Sequence, residues 1–309
     1  MQIKKYATIF QKEKLQVIKN MKKTYYLLLL ISLLLISCNE KISTSTNNEY
    51  LIIGTFNIEW LGDGIEDNKP RTVEDIKKIA DIISSSGMEI IAVQEIENED
   101  ALQKIVSQMS NFKFKVANQS GKQKLGIIYK DYITVNEIGE YEPLILEGKT
   151  RSGYIVEIQK NDYKLLMLNV HLKATSRFDS TEQLRIESRM MRHAQAEIIS
   201  NWADSVINIA GKKELTVLGD FNCYPTKVNN RTLVPIIENE NLHFLTSELR
   251  SCKNPLYWFL IDHIVVSTET LKRYSPNSVF IYDFHSMFSE EEAERISDHC
   301  PVTVEFRIK

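Results

Sequence analysis

The sequence predicts an α/β domain of two packed mixed β-sheets with helices outside, and three observations predict it. Apolar runs of strand length recur along the chain. Stretches with apolar residues at helical spacing stand between some of them. Several runs also follow one another directly, which argues for mixed rather than purely parallel sheets. Composition permits such a core: of 309 residues, 43% are hydrophobic and 26% charged, ordinary values for a globular chain.

The elements follow in order. Leu51 to Asn57 is a short apolar run containing Thr and Phe, hence a strand. Thr72 opens T-V-E-D, a helix start of the capping-box kind. Val73, Ile76, Ile79, Ile82 and Ile83 continue it at helical spacing until Gly87. Glu89 to Gln94 reads as a buried strand and Asp100 to Met109 as a helix. Leu125 to Tyr129, Tyr154 to Ile158 and Leu165 to Val170 are further strands. Thr181 to Trp202 reads as a long helix with Leu184, Met191, Ala194, Ile198 and Trp202 on one face. Leu215 to Gly219, Ile261 to Ser267 and Val302 to Ile308 complete the strands.

The residues before this pattern read as targeting signals. Met21, Lys22 and Lys23 precede an apolar run from Tyr25 to Ser37, too short to span a bilayer, which needs about 20 apolar residues, and suited to a secretory signal. Leu35-Ile36-Ser37-Cys38 resembles a bacterial lipobox, which implies cleavage before Cys38 and acylation of its thiol; a plain signal peptide or a retained anchor are the alternatives. The expected organisation is a signal over residues 1–37, a polar flexible tether over 38–49, and one domain over 50–309.

Residues 1–37 hold seven Lys and one Glu, so the remainder carries 31 basic and 40 acidic residues, a net of −9. That excludes a general basic footprint for nucleic acid; grip on a polyanion must come from a local patch and a metal. Lys122, Lys124, Lys173 and Arg177 form either such a patch or ordinary solvated surface. Beyond Cys38 stand Cys223, Cys252 and Cys300, without zinc-finger spacing. One disulfide is possible in an oxidising compartment, its pairing open.

Chemistry-bearing residues recur where strands begin or end. Asn57 ends T-F-N, Glu95 follows I-I-A-V-Q, and His171 ends L-N-V-H. Asp220 and Asn222 stand in V-L-G-D-F-N. Asp262 opens I-D-H-I-V-V-S, and Asp298 and His299 stand in S-D-H-C-P-V. Strand ends are where α/β folds place active sites. A carboxylate such as Glu95, after a buried run, is costly unless paired or on a metal. The histidines and Asp220, taken singly, read equally as structural residues or turn residues. His193, His243, His263 and His285 stay in that structural class.

In combination the motifs N-I-E, Q-E, N-V-H, G-D-F-N, D-H and S-D-H, ordered from Asn57 to His299, resemble the DNase I-like endonuclease/exonuclease/phosphatase superfamily, nearest its bacterial secreted and lipoprotein nucleases. The resemblance implies a four-layer αββα sandwich and a metal-dependent phosphodiesterase. It implies that Glu95 binds the metal, with Asn57 and Asp298 completing the shell. Asp220 and Asn222 align the attacking water and the phosphate, and His171 and His299 flank the phosphate. Asp262 orients His299, and Arg151, in T-R-S-G, grips the phosphate. Oxygen ligands suit Mg²⁺ or Mn²⁺.

The expected protein is therefore a monomeric, lipid-anchored enzyme of the cell envelope acting on extracellular DNA or RNA. Two departures weaken a close likeness to DNase I. Glu97 stands where that enzyme has a minor-groove arginine, and Gly121 and Gln123 replace its sugar-stacking tyrosine and the glutamate partnering its first histidine. A phospholipid (sphingomyelinase-like) or phosphate-monoester hydrolase is the alternative, and a non-catalytic surface-binding lipoprotein a further one. Tyr257, Trp258 and Phe259 form an aromatic cluster expected to pack in the core near a strand start, with stacking on bases or contact with lipid as the alternatives.

Overall fold

Two strand–helix–strand crossovers, one in each sheet, set the plan of the domain. In the first, β1 (Tyr50–Leu61) leads through α1 (Val73–Ser85) to β2 (Ile90–Ile96), which pairs parallel to β1. Helix α2 (Glu99–Val106) and strands β3 (Phe112–Val116) and β4 (Lys124–Lys130) follow, then an antiparallel run of β5 (Thr134–Tyr141), β6 (Gly153–Lys160) and β7 (Tyr163–His171). The second crossover uses α3 (Glu182–Asn208) to reach β8 (Leu215–Asp220), parallel to β7. The remainder is α4 (Val234–Ile237), β9 (Leu242–Phe244), β10 (Asp262–Ser267), α5 (Thr268–Leu271), β11 (Phe280–Ile281), α6 (Glu290–Ile296) and β12 (Val302–Arg307). The computed structural model describes residues 49–176, 178–226, 231–253 and 258–309. The signal-like segment, Cys38, the tether as far as Asn48, Arg177 and Tyr257 lie outside the described residues.

Each sheet has six strands, in the orders β11-β12-β1-β2-β4-β3 and β5-β6-β7-β8-β10-β9. Side-chain alternation along the strands gives each sheet two buried faces. One apolar cluster joins the sheets face to face through Ile53, Ala92, Ile127, Val156, Met167, Ile264 and Val304. A second packs Ile79, Ile83 and Leu102 of α1 and α2 on the outer face of the first sheet, and a third packs Ile199 and Ala203 of α3 on the second. The layers run helix, sheet, sheet, helix, the expected sandwich. Helix α1 starts where T-V-E-D predicts. Thr72 Oγ accepts from Asp75 N at 3.1 Å while Thr72 N donates to Asp75 Oδ2 at 2.9 Å, a cap worth about 1 kcal/mol.

Three expectations are corrected. Strands β3, β5, β9 and β11 went unread, and all four are sheet edges; edge strands are short or carry charge on purpose, as in F-K-F-K-V. The buried face of α3 is only partly the one hydropathy suggests: Trp202 is buried and Ile198 packs against the core, but Leu184 is 38% exposed, while Arg192 and Gln195 are buried. Gln195 is satisfied, accepting from Lys173 N at 2.8 Å and donating to Leu144 O at 3.1 Å, which permits burial; Arg192 donates to Lys173 O, while its Nε has no partner among the described residues. Trp258, expected in the core, is 57% exposed. Among the described residues no helix is long and apolar enough to cross a membrane.

Candidate active site

The carboxyl ends of the two parallel pairs face one another across the sandwich. β1 delivers Asn57 and β2 Glu95; β7 delivers His171 and β8 Asp220. Local backbone devices aim them. The pairing of β1 with β2 shifts register between Asn57 and Leu61, and that of β2 with β4 between Val93 and Ile96. Glu59, Trp60 and Glu95 there adopt positive φ, 62° at Glu95. Such bulges redirect side chains, and left-handed backbone at a non-glycine residue persists only where its surroundings enforce it. Ahead of Asp220, Gly219 has φ 138°, and a Cβ there would meet Val170 O at 2.0 Å. Only glycine lets β8 approach β7 so closely.

The side chains converge. Asn57 Nδ2 donates to Glu95 Oε1 at 3.2 Å and to Asp220 Oδ2 at 3.1 Å. His171 Nε2 lies 3.5 Å from Asp220 Oδ2 and 3.8 Å from Glu95 Oε1. Asn222 N donates to Asp220 Oδ1 at 2.7 Å, and its amide to Leu172 O at 3.1 Å. Asp262, first residue of β10, pairs in register with Asp220 and holds His299 Nδ1 at 2.7 Å. His299 Nε2 is 3.9 Å from Asp220 Oδ2 and 3.6 Å from Asp298 Oδ1. Asp298 and His299 do not open β12; they stand in the loop between α6 and β12. The half-exposed Asp298 carboxylate sits on the His299 side, and the Asp298 backbone N–H donates to Glu59 Oε2 at 2.9 Å.

Burial and charge set the proton states. Burial pushes Asp220 up to about 7; His299 opposes this, and Asp262 and Glu95 add to it. His171 is held well below the ordinary imidazole value by burial, with the Arg151 and His299 charges adding to this. Burial would lower His299 too, but its ion pair and hydrogen bond with Asp262, helped by Asp220 and Asp298, hold it well above the ordinary value. Burial lowers Arg151 while Glu95 and Asp220 draw it up, so its cation faces the site; it donates to Gln123.

The donor set fits a hard cation. Glu95, Asp220 and Asp262 are 9%, 2% and 2% exposed, and among the described residues Asp262 Oδ1 has no hydrogen-bond partner. Three carboxylates out of water with one firm imidazolium partner leave negative charge to be balanced. Ligand atoms of Asp220, Asp262 and His299 come within 4.8 Å of one another. Asp262 is already engaged by His299, so Glu95 suits a hard ion better; Asn57 would join it through Oδ1, which here accepts from Glu59 N at 2.9 Å while its Nδ2 faces the carboxylates.

Some contributors carried no explicit sequence role. Ser297 Oγ donates to Asn57 O at 2.7 Å and accepts from His299 N at 3.0 Å, tying the two halves. Its signal was its place in S-D-H. Gln94 donates to Asn169 at 2.8 Å, and Asn169 to Val93 O and Gly126 O at 3.0 Å, pinning sheet to sheet beneath the site. Arg71 donates to the carbonyls of Ile58, Glu59, Trp60, Arg295 and Ile296, clamping the β1 bulge to the end of α6; nothing in R-T-V-E-D signalled that. Of the suggested basic rim, Lys122 is bound to Glu97 at 2.8 Å and Lys173 to Ala174 O at 3.1 Å.

The sequence pattern of the Endonuclease/Exonuclease/phosphatase family matches residues 54–299. No curated protein matches the chain significantly. Among solved structures, truncated TDP2 from Caenorhabditis elegans aligns with TM-score 0.60 at 17% identity, over 84% of this chain and 97% of that one. A mannosyl-6-phosphatase from Bacteroides thetaiotaomicron aligns with TM-score 0.56 at 14% identity, over 82% and 98%. The endonuclease domain of TRAS1, a telomere-specific non-LTR retrotransposon, aligns with TM-score 0.53 at 13% identity, over 84% and 99%. At these identities the likeness is one of fold.

Proposed function

We propose, from the premise that the chain belongs to the Endonuclease/Exonuclease/phosphatase family and is a hydrolase of phosphoric ester bonds, that it cleaves the phosphodiesters of nucleic acid by in-line attack of water. One observation carries the reading: the Asp220 carboxylate stands between two imidazoles, 3.5 Å from His171 Nε2 and 3.9 Å from His299 Nε2, and accepts from the Asn57 amide at 3.1 Å. Asp220 takes the proton of the attacking water, held in place by Asn222 N–H and the Asn57 amide. His299, kept protonated by Asp262, donates from Nε2 to the phosphate oxygens or the leaving oxygen. His171, neutral, offers a hydrogen bond rather than a charge, and Arg151 grips the phosphate.

Glu95, with Asn57 and Asp298, would hold a divalent ion, Mg²⁺ or Mn²⁺. Bound there, such an ion neutralises charge on the phosphate. The lipobox-like segment ending at Cys38 supports a lipid-anchored, cell-envelope enzyme acting on extracellular DNA or RNA.

A panel of plasmid, single-stranded DNA, RNA and bis-p-nitrophenyl phosphate, with Mg²⁺ or Mn²⁺ and with EDTA, tests the reading. Metal-dependent cleavage of a nucleic acid is expected; cleavage of none rejects it. A second reading, phosphate-monoester hydrolysis, draws support from the Lys122–Glu97 pair, which removes a backbone-tracking charge. Turnover of p-nitrophenyl phosphate above the diester favours it.

A further inference from the structure

Two peptide units aim the residues that suit a cation, and one arginine holds both units. Just past Asn57, Glu59 and Trp60 have φ of 46° and 57°, a left-handed backbone that non-glycine residues keep only under constraint. It turns two N–H groups toward the site. Glu59 N donates to Asn57 Oδ1 at 2.9 Å, and Trp60 N to Glu95 Oε2 at 3.2 Å. A peptide unit is planar and trans, so its carbonyl points away from its N–H. The carbonyls of these two units are Ile58 O and Glu59 O. Both accept from Arg71 Nη2, at 2.5 and 2.6 Å.

The same guanidinium reaches the other half of the site. Nη1 donates to Trp60 O at 2.9 Å, Nε to Arg295 O at 3.1 Å and Nη2 to Ile296 O at 2.8 Å. Ile296 leads into Ser297, whose hydroxyl joins Asn57 O to His299 N. Burial brings the Arg71 guanidinium down to about 10, which leaves it charged at neutral pH. That charge is spent on backbone carbonyls, so it fixes main chain rather than neutralising a carboxylate.

We infer that Arg71 is a positioning residue for the cation: by holding the 58–59 and 59–60 peptide units it aims their N–H groups at Asn57 and Glu95 and so fixes both side chains for a hard ion. The inference rests on the metal reading of the proposed function, and it gives Arg71 no contact with substrate. Asn57 Oδ1 and the Glu95 carboxylate keep lone pairs beyond those the N–H groups occupy, so both can serve an ion while held. Groups that orient ligands from behind govern how well those ligands bind. Arginine suits the task because its fork spans several acceptors, which a lysine ammonium on its flexible stem does not.

Titration of the full chain with Mn²⁺, the free ion read by electron paramagnetic resonance, tests this without a substrate. Arg71→Ala should bind Mn²⁺ about ten- to a hundredfold more weakly than wild type, and Arg71→Lys should also fall short. Arg71 lines a surface cavity of about 310 Å³ with Gly62, Gly64, Asp67 and Val73, so the void left by Arg71→Ala is open to a small cation. Millimolar guanidinium chloride should therefore restore part of the affinity, and sodium chloride at the same level should not. Lys78→Met controls for packing. Lys78 joins α1 to α6 through Glu292 at 2.9 Å and, among the described residues, bonds to no carbonyl of the bulge, so its variant should keep wild-type affinity. Unchanged affinity in Arg71→Ala, equal weakening in Lys78→Met, guanidinium no better than sodium, or a wild type that binds no Mn²⁺ overturns the inference. If circular dichroism shows Arg71→Ala unfolded, Arg71→Lys decides: wild-type affinity overturns the inference and weaker binding supports it. Hydrolysis is judged apart. A chain that cleaves no ester, yet loses Mn²⁺ affinity with Arg71, loses the catalytic reading and keeps this one.

Discussion

The two histidine walls of the site differ in one atom's company. His171 and His299 are both close to Asp220, at 3.5 and 3.9 Å, and both have little access to water. Yet one is held neutral and the other charged. At His299 the Nδ1 position carries Asp262 at 2.7 Å; at His171, among the described residues, Nδ1 has no hydrogen-bond partner, and Arg151 stands nearby. Burial depresses both imidazoles, and only the one with a carboxylate aligned on its second nitrogen overcomes it. In the proposed reading, the carboxylate behind the ring, not the residue type, selects which histidine serves as the acid.

The largest test removes the group common to both walls. Asp220→Asn should lower kcat by about 10²- to 10⁴-fold, read with bis-p-nitrophenyl phosphate at saturating Mg²⁺. Activity near wild type would mean that neither wall acts through Asp220.

The next test separates the walls. Activity that requires the His299 imidazolium is full below its raised pKa and lost as pH rises through it. Asp262→Asn removes the main support of that pKa, so the alkaline limb of kcat/KM should move to lower pH, with about 10²-fold lower activity at the wild-type optimum. His171→Asn should leave the alkaline limb in place, since His171 is already neutral. A limb that moves with His171 and not with Asp262 reverses the assignment.

The smallest test loosens the His299 wall alone. That loop follows α6, and the Glu292 carboxylate of α6 binds Lys78 of α1 at 2.9 Å and accepts from Ser289 N at 3.1 Å in a capping box. Its carboxyl falls from the ordinary 4.5 to about 2, through Lys78 first and then Ser289. A depressed carboxyl stabilises above its unfolded pKa, and that stability is lost as pH falls from about 4.5 toward 2. Glu292→Gln should therefore lower Tm modestly at pH 7 and leave it equal to wild type at the acid end of this window. A Tm gap constant across that range would exclude the linkage.

Much of this is legible in the sequence. The central strands announced themselves because buried strands are near-continuous apolar runs, and T-V-E-D marked α1 because a cap is local chemistry. The edge strands were not legible, since their polar character is what protects an edge. The α3 face was misread because hydropathy cannot foresee Gln195 and Arg192 finding buried partners. Trp258 was misplaced for the converse reason: an apolar residue need not be inside.

By itself the sequence determined which residue types stand at the strand ends, from Asn57 to His299, and so the class of chemistry. Only the tertiary structure decided that β1–β2 and β7–β8 point their carboxyl ends at each other. It alone decided that Cys252 pairs with Cys300 while Cys223 stays free. It alone decided which histidine keeps its proton. Those outcomes depend on distances between side chains far apart in the chain, and a proton's energy changes with a neighbour a few ångströms away whatever their separation in sequence.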